Sequence, residues 1–345
     1  MLHKIAVIGF GTVGQAFLRV LHEKGDWLRE RYGLEYRIVG ISDIQKGSVM
    51  DPNGLDAGRL LSLVLEKGKI DEYPKGVKDL NAVDTIRRSN PSVVVEAAWT
   101  NLNTGEPGLS HIREALKLRK HVITSNKGPI ALAYKELKTL AEEKQVELRF
   151  ECTVMSGTPV ISVGLDGLAG HHIEAVKGVL NGTTNFILTK MEEGKSYSEA
   201  LAEAQRLRYA EVDPSADVEG WDAVGKIVIL ANVLMGAGIK PSMVARRGIT
   251  RVSMAEIEEA RKDGCRIKLV AHAWREGDGI KAKVSPERVA LSDPLATVSG
   301  GVNAVTFSTD GLGDVTVIGK GAGGTETGHG ILTDLLSIDR SLKRL

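Results

Sequence analysis

In the first half of the chain, short apolar runs alternate with stretches whose apolar residues recur every three or four positions. Residues 4–9, Lys-Ile-Ala-Val-Ile-Gly, form one such run, and residues 12–24 then place Val13, Phe17, Val20 and Leu21 at helical spacing. A short apolar run bounded by turn residues fits a strand covered on both faces, and the wider spacing fits the helix that covers it. The same pattern predicts strands over residues 36–41, 92–98 and 121–125, and helices near 60–65 and over 109–119. Residues 25–35 read as a connection, and residues 45–78 as a mixed stretch broken by Gly, Pro and Asp. Alternating strands and helices predict an α/β Rossmann-type parallel sheet.

After residue 146 the pattern changes. Strands are expected over residues 147–154, 175–180, 250–252, 265–274, 281–284 and 304–308. Helices are expected over residues 198–209 and 220–235, and one after Asn181-Gly-Thr-Thr-Asn185. This is an α+β pattern built mainly from antiparallel pairs. A glycine-dense stretch, 311–330, precedes a last helix over 331–342. The expected domains are residues 1–148, with a helix of about 322–345 packing back on them, and a catalytic and dimerisation region over 149–321.

Composition narrows the function. Apolar residues at 42% and charged residues at 26% of 345 are globular values and exclude disorder. With Lys+Arg 45 against Asp+Glu 44, no global field exists to hold nucleic acid or an anionic membrane. The longest apolar stretch, 227–239, is too short to span a bilayer and contains Asn232. No signal-peptide pattern opens the chain, and Cys152 and Cys265 alone make no disulfide framework or zinc cluster. The expectation is a cytoplasmic protein with reduced thiols that acts on a small molecule.

Gly9-Phe10-Gly11-Thr12-Val13-Gly14 matches G-x-G-x-x-G between a strand and a helix, the context in which backbone N–H groups and the helix dipole meet a pyrophosphate. The ribose-reading acid of such folds lies ~20 residues on. Asp43 ends the second strand but lies further away. Its carboxylate favours a 2′-OH, while Gln45, Lys46 and Arg59 offset it, so NAD and NADP both remain open.

A second constellation follows. Asp222 and Lys226 are spaced i, i+4 and can pair on one helix face, with Glu211, Asp213 and Asp217 on the loop leading to them. Ile-Val-Ile-Leu follows Lys226, so this face begins at the edge of a core.

Five pieces in order, Gly9 to Gly14, Ile123-Thr-Ser-Asn126-Lys127-Gly128-Pro129, Leu180-Asn-Gly-Thr-Thr-Asn185, Glu211…Asp217…Asp222…Lys226 and Gly321-Ala-Gly-Gly324, together resemble homoserine dehydrogenase over nearly the whole chain. The resemblance implies reversible reduction of L-aspartate 4-semialdehyde to L-homoserine, on the route to threonine, methionine and isoleucine, by a homodimer with NAD or NADP. It implies Lys226 as acid and base, supported by Lys127 and Asp222; burial and Lys127 would lower its pKa and Asp222 would oppose them. It implies substrate contacts from Glu211, Asp217, Asp222, Thr183 and Lys127. The implied cofactor contacts are Gly9, Phe10, Gly11, Thr12, Val13, Gly14, Asp43, Trp99, Thr100, Lys127 and Gly321. It also implies a monovalent cation, Na+ or K+, near Glu151, Val154, Ser156 and Thr158, where oxygen ligands suit a hard ion.

Two departures stand out. Arg208 occupies a position where the family commonly has glycine, and Gly328-His329-Gly330 replaces small residues; His329 is assigned no role. The chain ends after the last helix, which sets the expectation of no threonine inhibition through an added regulatory domain. Two rival readings are a phosphorylating semialdehyde dehydrogenase with Cys152 as nucleophile and a dinucleotide-binding sensor without chemistry.

Overall fold

The structure is a computed structural model that describes residues 1–344. It divides into two compact units, Met1–Gly157 with Gly323–Leu345, and Thr158–Ala322.

The first unit runs β1 (Leu2–Ile8), α1 (Thr12–Tyr32), β2 (Glu35–Asp43), β3 (Gly47–Met50), α2 (Ala57–Lys67), β4 (Val77–Lys78), α3 (Ala82–Ser89), β5 (Val93–Glu96), α4 (Gly108–Lys117), β6 (His121–Thr124), α5 (Lys127–Lys144) and β7 (Leu148–Arg149). Among the described residues its sheet has the order β4-β3-β2-β1-β5-β6-β7. The strands from β2 to β7 are parallel, and β3 and β4 add an antiparallel edge. β2 and β5 flank β1 on opposite sides, so the chain reverses its direction of winding at the carboxyl end of β1, where ligands bind in such sheets. That end carries Gly9.

The helix expected to stop near residue 24 continues to Tyr32, so residues 25–35 are mostly helix. Gly25 is tolerated because Tyr36 Oη lies where a Cβ would be, 2.9 Å away, and donates to the Leu21 carbonyl at 2.6 Å. The strand expected over 147–154 shrinks to β7, and Glu151–Thr153 form a 3-10 turn. The C-terminal helix spans Gly324–Lys343, close to the helix of about 322–345 expected to pack back on the first domain and seven residues ahead of the apolar spacing that begins at 331. Its glycines serve a close crossing with α1: a Cβ on Gly328 would sit 2.8 Å from Ala16 C and 2.9 Å from Phe17 N. Ile331, Leu335 and Ile338 thereby join Phe17, Val20 and Leu21 in one core. A buried clasp completes the contact, with His3 Nε2 and Lys343 Nζ at 3.0 and 2.7 Å from the Asp339 carboxylate.

The second unit runs β8 (Ile173–Val179), α6 (Gly182–Glu192), α7 (Tyr197–Arg206), α8 (Ser215–Val218), α9 (Trp221–Leu234), β9 (Ala245–Arg246), α10 (Met254–Lys262), β10 (Cys265–Glu276), β11 (Gly279–Ala290), α11 (Pro294–Thr297), β12 (Val302–Thr309) and β13 (Gly313–Lys320). Among the described residues its sheet has the order β13-β12-β8-β10-β11-β9, antiparallel except where β9 joins β11. Residues 250–252, expected as a strand, form a turn instead. Ile249 N is bound to the Val218 carbonyl at 2.8 Å, and Ser253 caps α10 immediately afterwards, which leaves no ladder for the apolar residue to join. No helix among the described residues is long and apolar enough to cross a membrane.

Candidate active site

In the second unit the chemistry gathers at the start of α9. Ala223 to Ala231 are all buried, which carries the helix into the core and leaves its first turn at the core's edge. Lys226 is 7% exposed. Its Nζ donates to the Leu180 carbonyl at 2.6 Å and pairs with Asp222 Oδ2 at 2.8 Å, so the i, i+4 spacing does form an ion pair. Asn181 Nδ2 donates to Asp217 Oδ1 at 2.6 Å and Asp222 Oδ2 at 2.9 Å. Its Oδ1 accepts from Thr184 N as the cap of α6. One amide thus fixes the start of α6 and two carboxylates, that of Asp222 on α9 and that of Asp217, which lies in the short helix α8 and not on a loop as expected. Burial, then the charge of Asp222, pushes the Asp217 carboxyl up against the pull of Asn181. Asn181 carried no role in the sequence reading, although an Asn opening a helix is itself a cap signal.

Thr183 Oγ1 donates to the Tyr209 carbonyl at 2.7 Å, and the Tyr209 ring stacks on Phe186 at 4.5 Å. Glu211 is exposed on the loop, its carbonyl held by Gln205 Nε2 at 3.1 Å. Lys226, Asp222 and Asp217 therefore form one bonded group, and Glu211 stands outside it.

Arg208 follows α7 with φ 62°, and Tyr209 N closes back on the Ala204 carbonyl. This is a left-handed helix stop, where a Cβ costs about 1 kcal/mol and glycine costs none. Arg208→Gly is expected to raise Tm by about 2 °C in a thermal melt; a lower Tm would mean that the arginine side chain supplies more than the turn loses.

In the first unit, Gly9 has φ 92° and its N donates to the Ser42 carbonyl at 2.8 Å. Asp43 takes hydrogen bonds from Phe10 N at 2.7 Å and from Gln45 N and Lys46 N at 2.9 Å each. The first turn of α1 has no acidic residue and no side-chain cap, and nothing lies within 4 Å of where a Cβ on Gly11 would project. Open backbone N–H groups, room at Gly11 and the dipole of a 21-residue helix fit a dinucleotide pyrophosphate. Thr12 and Val13 open that helix.

Trp99 and Thr100 follow β5, and Trp99 is 59% exposed. Asn126 caps α5, accepting from Gly128 N at 3.2 Å and donating to the Trp99 carbonyl at 3.1 Å. Lys127 is therefore the first residue of a helix and not part of a turn; Pro129 belongs to its first turn, where a missing N–H costs nothing. Gly321, in the second unit, lies against the side chain of Asn303, whose amide is fully buried and has no partner among the described residues.

Glu151 is buried beside Asp334, whose Oδ2 accepts Glu151 N at 3.0 Å. Burial, then the Glu151 charge, raises Asp334 to about 8. Two left-handed residues, Met155 at φ 55° and Ser156 at φ 57°, follow buried Val154. Ser156 Oγ is engaged with Thr327 Oγ1 at 2.8 Å, and in the second unit Thr158 Oγ1 donates to the Lys320 carbonyl at 2.9 Å. A buried carboxylate pair beside a strained turn, one member of it raised by the other, is a setting in which a small cation would offset the repulsion. The two hydroxyls are already committed, which leaves Glu151 and backbone carbonyls as the donors.

Cys152 is buried, its Sγ against the Thr327 carbonyl at 3.3 Å. Burial, then Asp334 and Glu151, pushes its thiol well above the usual range. That setting opposes a nucleophilic thiolate.

Comparison with known proteins places these features in one family. The family model described as homoserine dehydrogenase matches residues 159–336, and that for the homoserine dehydrogenase NAD binding domain matches residues 9–151. An NAD(+)-dependent homoserine dehydrogenase of Pseudomonas canavaninivorans is 44% identical over 99% of this chain and 97% of its own. A homoserine dehydrogenase of Methanocaldococcus jannaschii is 41% identical over 99% of both. A hyperthermophilic archaeal homoserine dehydrogenase solved in complex with NADPH superposes with a TM-score of 0.84 at 32% identity, covering 99% of this chain and 98% of that one.

Proposed function

Because the chain belongs to the homoserine dehydrogenase family, we propose that Lys226 is the proton donor and acceptor of its reaction, positioned by Asp222 and Leu180. The reaction is the reversible NAD(P)-dependent reduction of L-aspartate 4-semialdehyde to L-homoserine. When bound, the dinucleotide supplies or accepts the hydride. Negative charge then develops on the carbonyl oxygen, and an ammonium aimed there stabilises it and delivers the proton. Two of the three Lys226 N–H groups are bonded to Leu180 and Asp222, and the third remains for the substrate. In the oxidation direction the neutral amine takes the hydroxyl proton.

Asp217 and Glu211 suit the substrate's α-ammonium. Thr183 already donates its hydroxyl to Tyr209, so the carboxylate is met by backbone N–H groups in the first turn of α6. Lys127 is the second cation acting on the substrate. The bonded group of Lys226, Asp222, Asn181 and Asp217 carries this reading. Its test is Asp217→Asn with Glu211→Gln: homoserine KM rises about tenfold or more while dinucleotide KM holds, as expected for losing a charged hydrogen bond. An unmoved homoserine KM overturns the assignment.

Asp43 further favours NAD over NADP. Three backbone N–H groups hold its carboxylate in place at the end of β2, where a 2′-phosphate would be repelled. Asp43→Asn keeps the shape and removes the charge, and is expected to lower the NAD/NADP ratio of kcat/KM about tenfold. An unchanged ratio defeats this preference.

Glu151 with nearby carbonyls, that of Val154 included, is the reading for a sodium or potassium site. Either ion should raise Tm in wild type but not in Glu151→Gln; an equal rise in both rules the site out. Exposed Leu312 and Ile318 on the β12–β13 hairpin suit cover by a second copy, and sedimentation as a monomer would refute a homodimer.

A further inference from the structure

Lys268 of β10 is fully buried and has no part in the chemistry above. Its ammonium donates to Asn185 Oδ1 at 3.0 Å and to the Val298 carbonyl at 2.8 Å. Asn185, in the first turn of α6, turns its Nδ2 to the Val302 carbonyl at 2.9 Å. One turn further on, Thr189 Oγ1 accepts from Gly300 N at 3.3 Å. Segment 298–302 is thus tied to α6 directly at Gly300 and Val302, and at Val298 through the Lys268–Asn185 bond.

The segment abuts the groups assigned to substrate binding. A Cβ on Gly301 would lie 2.6 Å from Tyr209 Cε1, and one on Gly182 would lie 3.0 Å from the Gly301 carbonyl. Tyr209 in turn supplies the carbonyl that holds the Thr183 hydroxyl. Val298 packs in the core beside Leu295 and Val302 opens β12, but Gly300 and Gly301 between them have little stiffness of their own, so the place of that middle stretch depends on what binds it. A buried ammonium costs several kcal/mol to desolvate, and an apolar residue of the same length would fill the space without that cost. The opposite charge nearby, Glu192, leaves its Oε1 without a partner among the described residues, while Lys268 directs its bonds to Asn185 and the segment. Burial, opposed by Glu192, brings the Lys268 ammonium down to about 8. It is still largely charged near neutrality.

We propose that Lys268 is a positioning residue: by holding segment 298–302 against α6 it fixes the floor under Tyr209 and turn 181–183, and so sets the affinity for the amino-acid end of the substrate. This rests on the assignment of Asp217 and turn 181–183 to the substrate.

The experiment compares Lys268→Met, Asn185→Leu, their double variant and Thr189→Val, in homoserine oxidation well below each Tm. Lys268→Met and Asn185→Leu are each expected to raise homoserine KM about tenfold, with dinucleotide KM and the dinucleotide Kd from fluorescence unchanged. The double variant should raise homoserine KM by less than the product of the two singles, because both break the Lys268–Asn185 bond while each single keeps one tie to the segment; a full product overturns the shared role. Thr189→Val removes the bond from Gly300 N, together with the hydroxyl's own donation to the Asn185 carbonyl at 2.7 Å within α6, and should give a rise of a few-fold, which keeps the test open if the buried variants do not fold. A fall in Tm with homoserine KM unmoved overturns the proposal, as does an equal rise in both KM values. Asp217→Asn, run alongside, separates the two claims: if it too leaves homoserine KM unmoved, the substrate assignment has failed and not the role of Lys268 alone.

Discussion

Lys226→Met is expected to lower kcat about 10³-fold in both directions while the dinucleotide Kd stays within about twofold, since a positioned proton donor contributes 10²–10⁴ and binds no part of the dinucleotide's phosphates. The prediction needs a control for stability. Removing the ammonium takes the Lys226 charge away from Asp222 while Asp222 and Asp217 still share the Asn181 amide. Breaking a buried pair in this way costs about 3 kcal/mol, less here because Asp222 is partly exposed to water. Lys226→Met with Asp222→Asn removes both charges and should recover most of the lost Tm without recovering turnover. Stopped-flow turnover, dinucleotide titration and a melt of the two variants together decide the matter. A single variant that keeps kcat within about tenfold of wild type would show that the proton travels by another route.

The second large effect lies in the glycine turn, where two neighbouring glycines should behave in opposite ways. Gly9 has φ 92°, and a Cβ there would fall on the Ala97 carbonyl and 2.6 Å from Ala98 N, both backbone atoms at the end of β5. Neither can give way without moving a central strand. Gly9→Ala should therefore destabilise the first unit by about 3 kcal/mol or more and yield little folded protein. Gly11→Ala meets nothing within 4 Å, so its Tm should hold. Its methyl instead projects from the N-terminus of α1, where the pyrophosphate is expected to lie, and dinucleotide affinity should fall by about tenfold or more. A melt and a dinucleotide titration on both variants check the contrast. If Gly11→Ala bound normally, the turn would not be the phosphate site.

The sequence was most legible where one physical demand acts locally. Apolar runs such as residues 4–9 and 121–125 need cover on both faces, and they became the central strands β1 and β6. The i, i+4 spacing of Asp222 and Lys226 was enough to predict their pairing, because a helix leaves no other geometry. Legibility failed where a distant partner decides. Gly25 reads as a break until Tyr36 is seen filling the space beside it. The apolar spacing of the last helix begins only at residue 331 because glycine penalises a helix, yet the bare Gly328 is what lets the turn before it lie against Ala16 and Phe17. Asn181 could be read as a cap, but not as the amide joining two carboxylates from separate helices. Lys268 stood in a strand pattern as one more charged residue, and only its burial beside Asn185 distinguishes it.

The last helix belongs to the unit that the first residues begin, with Phe17 of α1 and Ile331, Leu335 and Ile338 in one core and His3 bound to Asp339. During synthesis, α1 emerges from the ribosome some three hundred residues before its partner does. The nucleotide-binding half must therefore wait, with an apolar stripe uncovered, until the last helix has been made, while the half made in between can fold first. Termination just before Gly324 should damage the beginning of the chain most, and chaperone demand should fall on the nascent amino-terminal half.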